Sequence, residues 1–571
     1  MEKLKIIKQV LTSKEKKTLL IVFFFMIING FLEAFSIGAL IPLLSIVFGI
    51  ENNDLFPNEK GNILKNFDID IGLDFLILLI VVVYIFKYLF FVFFTRFQTS
   101  FILNLKISLQ KRLYEDYLKK PIKFHNKMLS AEIVRNINNE VSIFINNFLS
   151  SILTFLLSLF TIIMIVILLL MINLKTTILV VLLFGSIYLI IGQIFTKYLL
   201  KIGKIRQHHD KYSIKYIYRS LRSIIEIKLL ELEKFYVENY YYHIHKIAKQ
   251  SVNRNVIGIL PRVIFEASLI MFILFLIYHY KSNDLSVESL FAQLLLFATA
   301  AFRVLPALNN ILKNRQNIEF GLPAAQLLRD ITVNFEKQII RKNKKILNSI
   351  SFKNKISFQK VSFVYDDSSK NIMNNFDLDI SKGSSIGIVG SNGSGKSTLV
   401  KLFCGLLEPT KGTIEVDGVD IYNDITKWRK LIGFVPQEIN LIDGTIRENI
   451  CLGLNEKEIN NNRIMKIIEQ TQLKDFIERL PNGIHSYIGE EGVNISGGEK
   501  QKLGITRTLY RNHEILILDE ATSNLDNKSE IELVKMLDNE YKNITKIIVS
   551  HRTEALKFCD EIYNLDEIKK N

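Results

Sequence analysis

The stretch "GIVGSNGSGKST", residues 387–398, decides the fold of the C-terminal part of the chain. It reads as the end of a β-strand, then Gly390 to Ser397 in the spacing G-x-x-x-x-G-K-S, then an apolar helix opening on "TLVKLF". A strand, loop and helix in that order form a phosphate cradle, because backbone N–H groups and the helix N-terminus point at anionic oxygens. The cradle comprises Gly390, Ser391, Asn392, Gly393, Ser394, Gly395, Lys396, Ser397 and Thr398. Lys396 is expected to reach the β- and γ-phosphates of a nucleoside triphosphate, and the Ser397 hydroxyl to bind Mg²⁺. Gly393 and Gly395 are required where a side chain would block close approach or the backbone angles.

Downstream, "EILILDEATSNLD" supplies a short apolar strand ending in Asp519 and Glu520. A parallel strand buried on both faces explains the Ile/Leu run, and ligands bind at the carboxyl ends of such strands. Asp519 suits Mg²⁺, directly or through water, while Glu520 suits polarisation of an attacking water. The plainer role of an acidic pair at a strand end is a helix cap, and the phosphate loop upstream argues for the catalytic one.

The rest of the chain is of another kind. Its 571 residues are 49% hydrophobic with 40 Phe and a net charge of +15. The positive charge belongs with loops retained at the cytoplasmic face of a membrane, and nucleic acid is not an expected partner. Apolar runs near 19–48, 73–95, 145–172, 176–200, 256–280 and 287–312 predict six spans, each near the ~20 residues needed to cross hydrocarbon. The first is too long for a signal-peptide core and is expected to be retained. The lysine-rich start suits a short helix lying on the inner surface. The long basic connections, one through "SLQKRLYEDYLKKPIKFHNKM" and one over 201–254, are cytoplasmic, and both read as helical continuations of the spans. Residues 51–71 face outward and are expected to form a capping loop, with a short external helix presenting Ile63, Leu64, Phe67 and Ile71 on one apolar face as the alternative. Cys404, Cys451 and Cys559 imply no disulfide framework.

The predicted architecture is therefore an all-α membrane domain of six helices with long cytoplasmic extensions over 1–320, a linker over 321–348, and an α/β nucleotide-binding domain over 349–571.

The ordered motifs "GSNGSGKST", "VPQE", "ISGGEKQK", "LILDEATSNLD" and "VSHR" resemble those of the ATP-binding-cassette exporters, and six preceding spans resemble their type IV membrane domain. The resemblance covers the whole chain. It implies that Tyr365 stacks on adenine, that Gln437 senses Mg²⁺ and the attacking water, and that His551 contacts the γ-phosphate. It implies that Ser496, Gly497 and Gly498 cap ATP bound to a second chain, and that Asp526 couples the two sites. Since this chain carries both half-sites, a homodimer suffices, with a heterodimer with another chain as the alternative; the resemblance implies a bacterial inner membrane with the cassette in the cytoplasm. Coupling is expected at the cytoplasmic turns near 125–135 and 210–222, docking on the cassette. The signature departs from LSGGQ at Ile495 and Glu499; glycine and serine make the phosphate contact, and the last position is expected to point towards the following helix.

Three spans carry cations: Lys87, Arg262 and Arg303. Counting ~1.5 Å per residue puts them about 22, 28 and 25 Å from the outer side, a shared depth near the inner leaflet. Snorkelling to headgroups explains any one of them, and Arg262 has Glu266 one turn away. Together they suit a ring for an anionic headgroup. Glu33 in the first span is expected to pair with a cation on a neighbouring helix. The stretches "GFLEAFSIGALIPLL", "LPRVIFEASL" and "FRVLPALNNI" resemble the PglK-type flippases, which implies a polyprenyl-pyrophosphate-linked oligosaccharide as substrate. A lipid or multidrug exporter of the same architecture is the alternative, and a regulatory cassette protein a more distant one.

Overall fold

The structure is a computed structural model that describes residues 2–39, 73–172, 174–282, 287–342, 350–365, 371–489, 495–552 and 556–568. The outward segment 51–71, read as a capping loop or a short external helix, lies outside the described residues. The chain divides into two compact units, Met1–Lys120 with Phe124–Lys342, and Pro121–Lys123 with Asn343–Asn571.

The first unit is helical. α1 (Glu2–Val10) leads into α2 (Ser13–Gly38), α3 (Leu73–Leu118), α4 (Ile122–Lys127) and α5 (Ser130–Arg135). Two π-helical turns, Asn136–Glu140 and Phe144–Leu149, carry the chain into α6 (Ser150–Ile172). α7 (Leu174–Arg222), α8 (Ile224–Leu229), α9 (Glu233–Ser282) and α10 (Val287–Lys342) complete it. Helices at each of the six expected spans are present. Among the described residues, four stretches are long and apolar enough to cross a membrane: Ser13–Ser36, Asp74–Leu118, Ser130–Leu170 and Glu233–Phe275.

Three features differ from the sequence expectation. The apolar face of α1 is covered by protein: Ile6, Ile7, Val10 and Leu11 are buried with Leu105, Leu109 and Leu113 of α3 and Phe144 and Phe148 of the π-helical region. Of the apolar residues of α1, Leu4 alone is exposed, and Lys3 pairs with Glu319 at the edge of the buried face. The turn expected over 210–222 falls at 223–232, between the ends of α7 and α9, because α7 runs unbroken to Arg222. α10 continues through Pro306 and Pro323 to Lys342, so the region expected as a linker from 321 is largely helix. Buried Ala324, Ala325 and Leu328 hold the continuation past Pro323, so packing there overrides the loss of a donor.

The second unit has two sheets. The antiparallel one has the order β2-β1-β4-β5, from β1 (Lys355–Val364), β2 (Asn371–Ser381), β4 (Lys411–Val416) and β5 (Val419–Asp420). The parallel one has the order β6-β7-β8-β3-β9, from β3 (Ser385–Val389), β6 (Ile432–Val435), β7 (Ile515–Asp519), β8 (Thr545–Val549) and β9 (Glu561–Asn564). Alternation along β7 explains its apolar run. Ile515 and Ile517 enter a core with Phe358, Phe403 and Trp428, whereas Leu516 and Leu518 enter a second core with Ile464, Leu503 and Leu533. With both faces covered, every position must be apolar until the strand emerges at Asp519.

Candidate nucleotide site

β3, β6, β7 and β8 end on one edge of the parallel sheet, and each hands its chain to a predicted site residue. After β3, the loop reaches α11 (Lys396–Phe403), whose N-cap is Gly395 at φ 101°. Gly393 has φ 84° with open space around a notional Cβ, so backbone conformation rather than crowding selects glycine there. Lys396 Nζ donates to the carbonyl oxygens of Gly390 and Ser391 at 2.7 and 3.1 Å. The Ser394 hydroxyl is buried without a hydrogen-bond partner. Such an orphan in a glycine-lined cradle at a helix N-terminus fits an anionic phosphate.

Two loop residues have other employment. The N–H and hydroxyl of Ser391 both donate to the carboxylate of Asp566, at 2.6 and 2.8 Å. Ser391, expected to touch nucleotide, is thus engaged in fixing the start of the loop. Thr398 is buried and its hydroxyl lies 3.2 Å from Tyr365 Oη, which places the expected adenine-stacking ring beside the phosphate loop. Asn392 and Ser397 are exposed.

Across the edge, Gln437 Nε2 donates to Glu520 Oε2 at 2.6 Å, and His551 Nε2 stands 3.2 Å from Glu520 Oε1. Three residues up to 114 positions apart in sequence (551 − 437) therefore meet at one carboxylate. Glu520 holds a left-handed backbone, φ 50°, with its N–H donating to Val549 O at 2.9 Å. Burial and the neighbouring Glu520 raise Asp519 above the usual carboxylate range, against the opposing pull of Lys401 and Lys396. A partly buried carboxylate held against a second one is a donor set suited to a divalent cation. Ser397 and Asp519 would hold Mg²⁺, with Gln437 beside them; the cation would offset negative charge on phosphate.

The signature residues form a separate cluster. Ser496 caps α12 (Gly497–Leu509), and Gly497 and Gly498 lie against Asn524 and Leu525. Asp526 caps α13 (Asn527–Glu540) by accepting from Ser529 N at 3.1 Å. Among the described residues no hydrogen bond joins 390–398 to 495–499. Glu499 does not point along its helix as expected. Its carboxylate returns to Ser496, accepting from the N–H at 3.0 Å and from Oγ at 2.7 Å, and Arg479 pairs with it at 3.0 Å. Buried Gln501 ties α12 to the following loop through Ser523 Oγ and Asn524 N, and Arg552 holds the same loop through the carbonyls of Ser523 and Leu525. Sequence reading missed Asp566, Arg479, Gln501 and Arg552. Only the Ser496-x-x-Glu499 spacing carried a local signal, that of a capping box.

In the membrane unit, Lys87 is no free cation. It is 4% exposed, its Nζ lies 2.7 Å from Glu33 Oε2 and donates to Ser36 Oγ at 2.8 Å, and the rings of Tyr84 and Tyr88 flank it. Glu33 thus has the cation on a neighbouring helix that its position called for. Arg262 Nε donates to Glu266 at 2.7 Å on an exposed face of α9. Arg303 lies on α10, and its side chain is outside the described residues.

A helical membrane unit joined to a phosphate-loop domain with a Gln–Glu–His cluster and a capped signature helix defines an ATP-driven membrane-protein class. The ABC transporter transmembrane region matches residues 19–304, and the ABC transporter domain matches 373–523. The chain belongs to the ABC transporters. It is 37% identical over 213 residues to a multidrug resistance ABC transporter ATP-binding and permease protein of Lactococcus lactis, a match covering 37% of this chain and 36% of that protein. It is 38% identical over 257 residues to a putative export ATP-binding/permease protein of Rickettsia bellii, covering 44% of this chain and 43% of that one. The chain therefore spans less than half the length of these relatives. A solved bacterial Atm1-family ABC exporter with ATP bound shares the fold at TM-score 0.76 and 20% identity, over 97% of this chain and 94% of that one. ATP and Mg²⁺ are the ligands of this cassette.

Proposed function

We propose that the chain is one half of a homodimeric exporter that hydrolyses ATP to move an anionic, lipid-linked substrate, a polyprenyl-pyrophosphate-linked oligosaccharide, from the cytoplasmic to the outer leaflet of a bacterial inner membrane. The observation that carries the energetic half is the convergence of Gln437 and His551 on Glu520 beside the phosphate loop. Glu520 accepts the proton of the attacking water, and Gln437 and His551 orient the carboxylate. Separation of the phosphate loop from the signature within one chain favours a site completed by a second copy. Support for an anionic headgroup now rests on Arg262 and Arg303, since Lys87 is neutralised by Glu33.

That pair also favours a second reading. A cavity with one cation fewer suits an amphiphile without a pyrophosphate, as does the multidrug relative's name. Reconstitution in proteoliposomes separates them. Stimulation of ATP hydrolysis and flipping by a lipid-linked pyrophosphate oligosaccharide supports the first; stimulation by hydrophobic cations alone replaces it with the second.

A further inference from the structure

The Ser496 hydroxyl has one proton to give. In this chain that proton goes to Glu499 Oε2 at 2.7 Å, while the same carboxylate also takes the Ser496 N–H. Its other oxygen, Oε1, accepts from Arg479 Nη2 at 3.0 Å. The Ser496 oxygen in turn accepts from Glu499 N at 3.3 Å, so the capping box is closed in both directions. A phosphate approaching Ser496 must therefore compete with a carboxylate already in place. Both are anions, so Glu499 opposes phosphate capture twice, by holding the proton and by its charge. Arg479 offsets both effects, because an acceptor paired to a cation holds its donor less strongly and repels an anion less.

We propose that Glu499 is an internal competitor for the Ser496 hydroxyl and that Arg479 is the positioning residue that tunes it, so that the pair sets the ATP concentration at which two cassettes close. The inference rests on the two-chain site proposed above. It assigns opposite signs to two substitutions on one small network. Glu499→Gln keeps a capping-box residue at the third helical position, so folding is preserved, but it replaces a charged acceptor by a neutral one. Arg479→Ala leaves the carboxylate without its counter-ion. The side chain of Arg479 is 71% exposed, so its effect is the smaller of the two.

The test uses the full-length protein in detergent or vesicles, with two readouts. One is the apparent KM for ATP against kcat; the other is the ATP dependence of a cross-link between chains carrying Asn392→Cys and Asn524→Cys, positions in the phosphate loop and beside the signature. Glu499→Gln is expected to lower the KM and the cross-linking midpoint about fivefold, the difference between a charged and a neutral hydrogen-bond acceptor. Arg479→Ala is expected to raise both about two- to threefold. The double variant is expected to behave as Glu499→Gln, since without the acid Arg479 has nothing to tune. If Glu499→Gln leaves the midpoint unmoved, or Arg479→Ala remains defective in the double variant, the proposal falls, the latter outcome meaning that Arg479 meets nucleotide directly. If saturating ATP gives no cross-link between chains even in the otherwise unsubstituted protein, the two-chain site falls, and this proposal with it.

Discussion

Lys87 of α3 and Glu33 of α2 form an ion pair at 2.7 Å in the membrane unit, with side chains 5% and 16% exposed. The ammonium also reaches Ser36 Oγ, so two helices are joined by a charge that neither could bury alone. Removing Glu33 leaves the buried Lys87 ammonium without its carboxylate, at a cost of about 3–5 kcal/mol. Glu33→Gln or Lys87→Met should each lower the thermal unfolding midpoint and yield of purified protein. The double variant should recover most of the loss, because no unpaired charge remains. Equal destabilisation by the double variant would show that the pair does not act as a unit.

Gly393 isolates the backbone requirement of the phosphate loop. A Cβ there meets no atom within 4 Å, yet φ is 84°. Gly393→Ala should therefore act through conformation alone, at about 1–2 kcal/mol, which corresponds to about 5- to 30-fold weaker ATP binding. Nucleotide titration of the purified protein measures it, and an unchanged affinity would mean the loop binds in another conformation.

Glu520→Gln keeps the shape and the hydrogen bond to Gln437 but removes the proton acceptor. Hydrolysis should fall by orders of magnitude while ATP binding persists. Near-wild-type turnover would take Glu520 out of its role.

Asp519 has a pH signature whose sign follows from its surroundings. Burial and Glu520 raise its folded value above the unfolded one, so the ionised form costs stability without a cation. That cost is present above the folded value and is relieved as pH falls through it. Asp519→Asn should thus raise the unfolding midpoint at neutral pH in chelator while abolishing the midpoint increase that Mg²⁺ and ATP give together. A fall in the chelator midpoint would show that the carboxylate is stabilised in the fold by its lysine neighbours.

The cassette was largely legible because its chemistry is local. Strand, loop and helix lie within residues 385–403, and of the acidic pair Asp519 ends β7 while Glu520 follows it. What sequence reading lost spans distance: Asp566 reaches Ser391 across 175 positions and Arg479 reaches Glu499 across 20. Neither residue type at its position announces a partner. Depth counting placed Lys87 level with Arg262 and Arg303 but carries no information about azimuth, and azimuth is what turns Lys87 onto Glu33. The expected linker failed as a loop for a related reason. Composition turns polar after Leu312, yet Ala324, Ala325 and Leu328 still face a packed bundle, and a helix with one covered stripe tolerates polarity elsewhere.

Arg262 and Arg303 now carry the charge argument for the substrate. Arg262 spends its Nε on Glu266 one turn along α9, while 68% of its side chain remains exposed. A pyrophosphate offers paired oxygens that a guanidinium fork matches, and a partly dry cavity strengthens the attraction relative to open water. If both arginines bind the headgroup, Arg262→Ala and Arg303→Ala should each lower flipping per ATP hydrolysed, and the pair should lower it more than either. Lys would restore charge but not the fork, so Arg262→Lys should recover part of the loss. Lys87→Met in the Glu33→Gln background should leave the flipping ratio near wild type, since that cation is already neutralised. Flipping of a fluorescent lipid-linked oligosaccharide and ATP hydrolysis are measured on the same vesicles. An unchanged ratio in the double arginine variant returns both residues to anchoring at the headgroup level, and a fall in the ratio on losing Lys87 restores the three-cation ring.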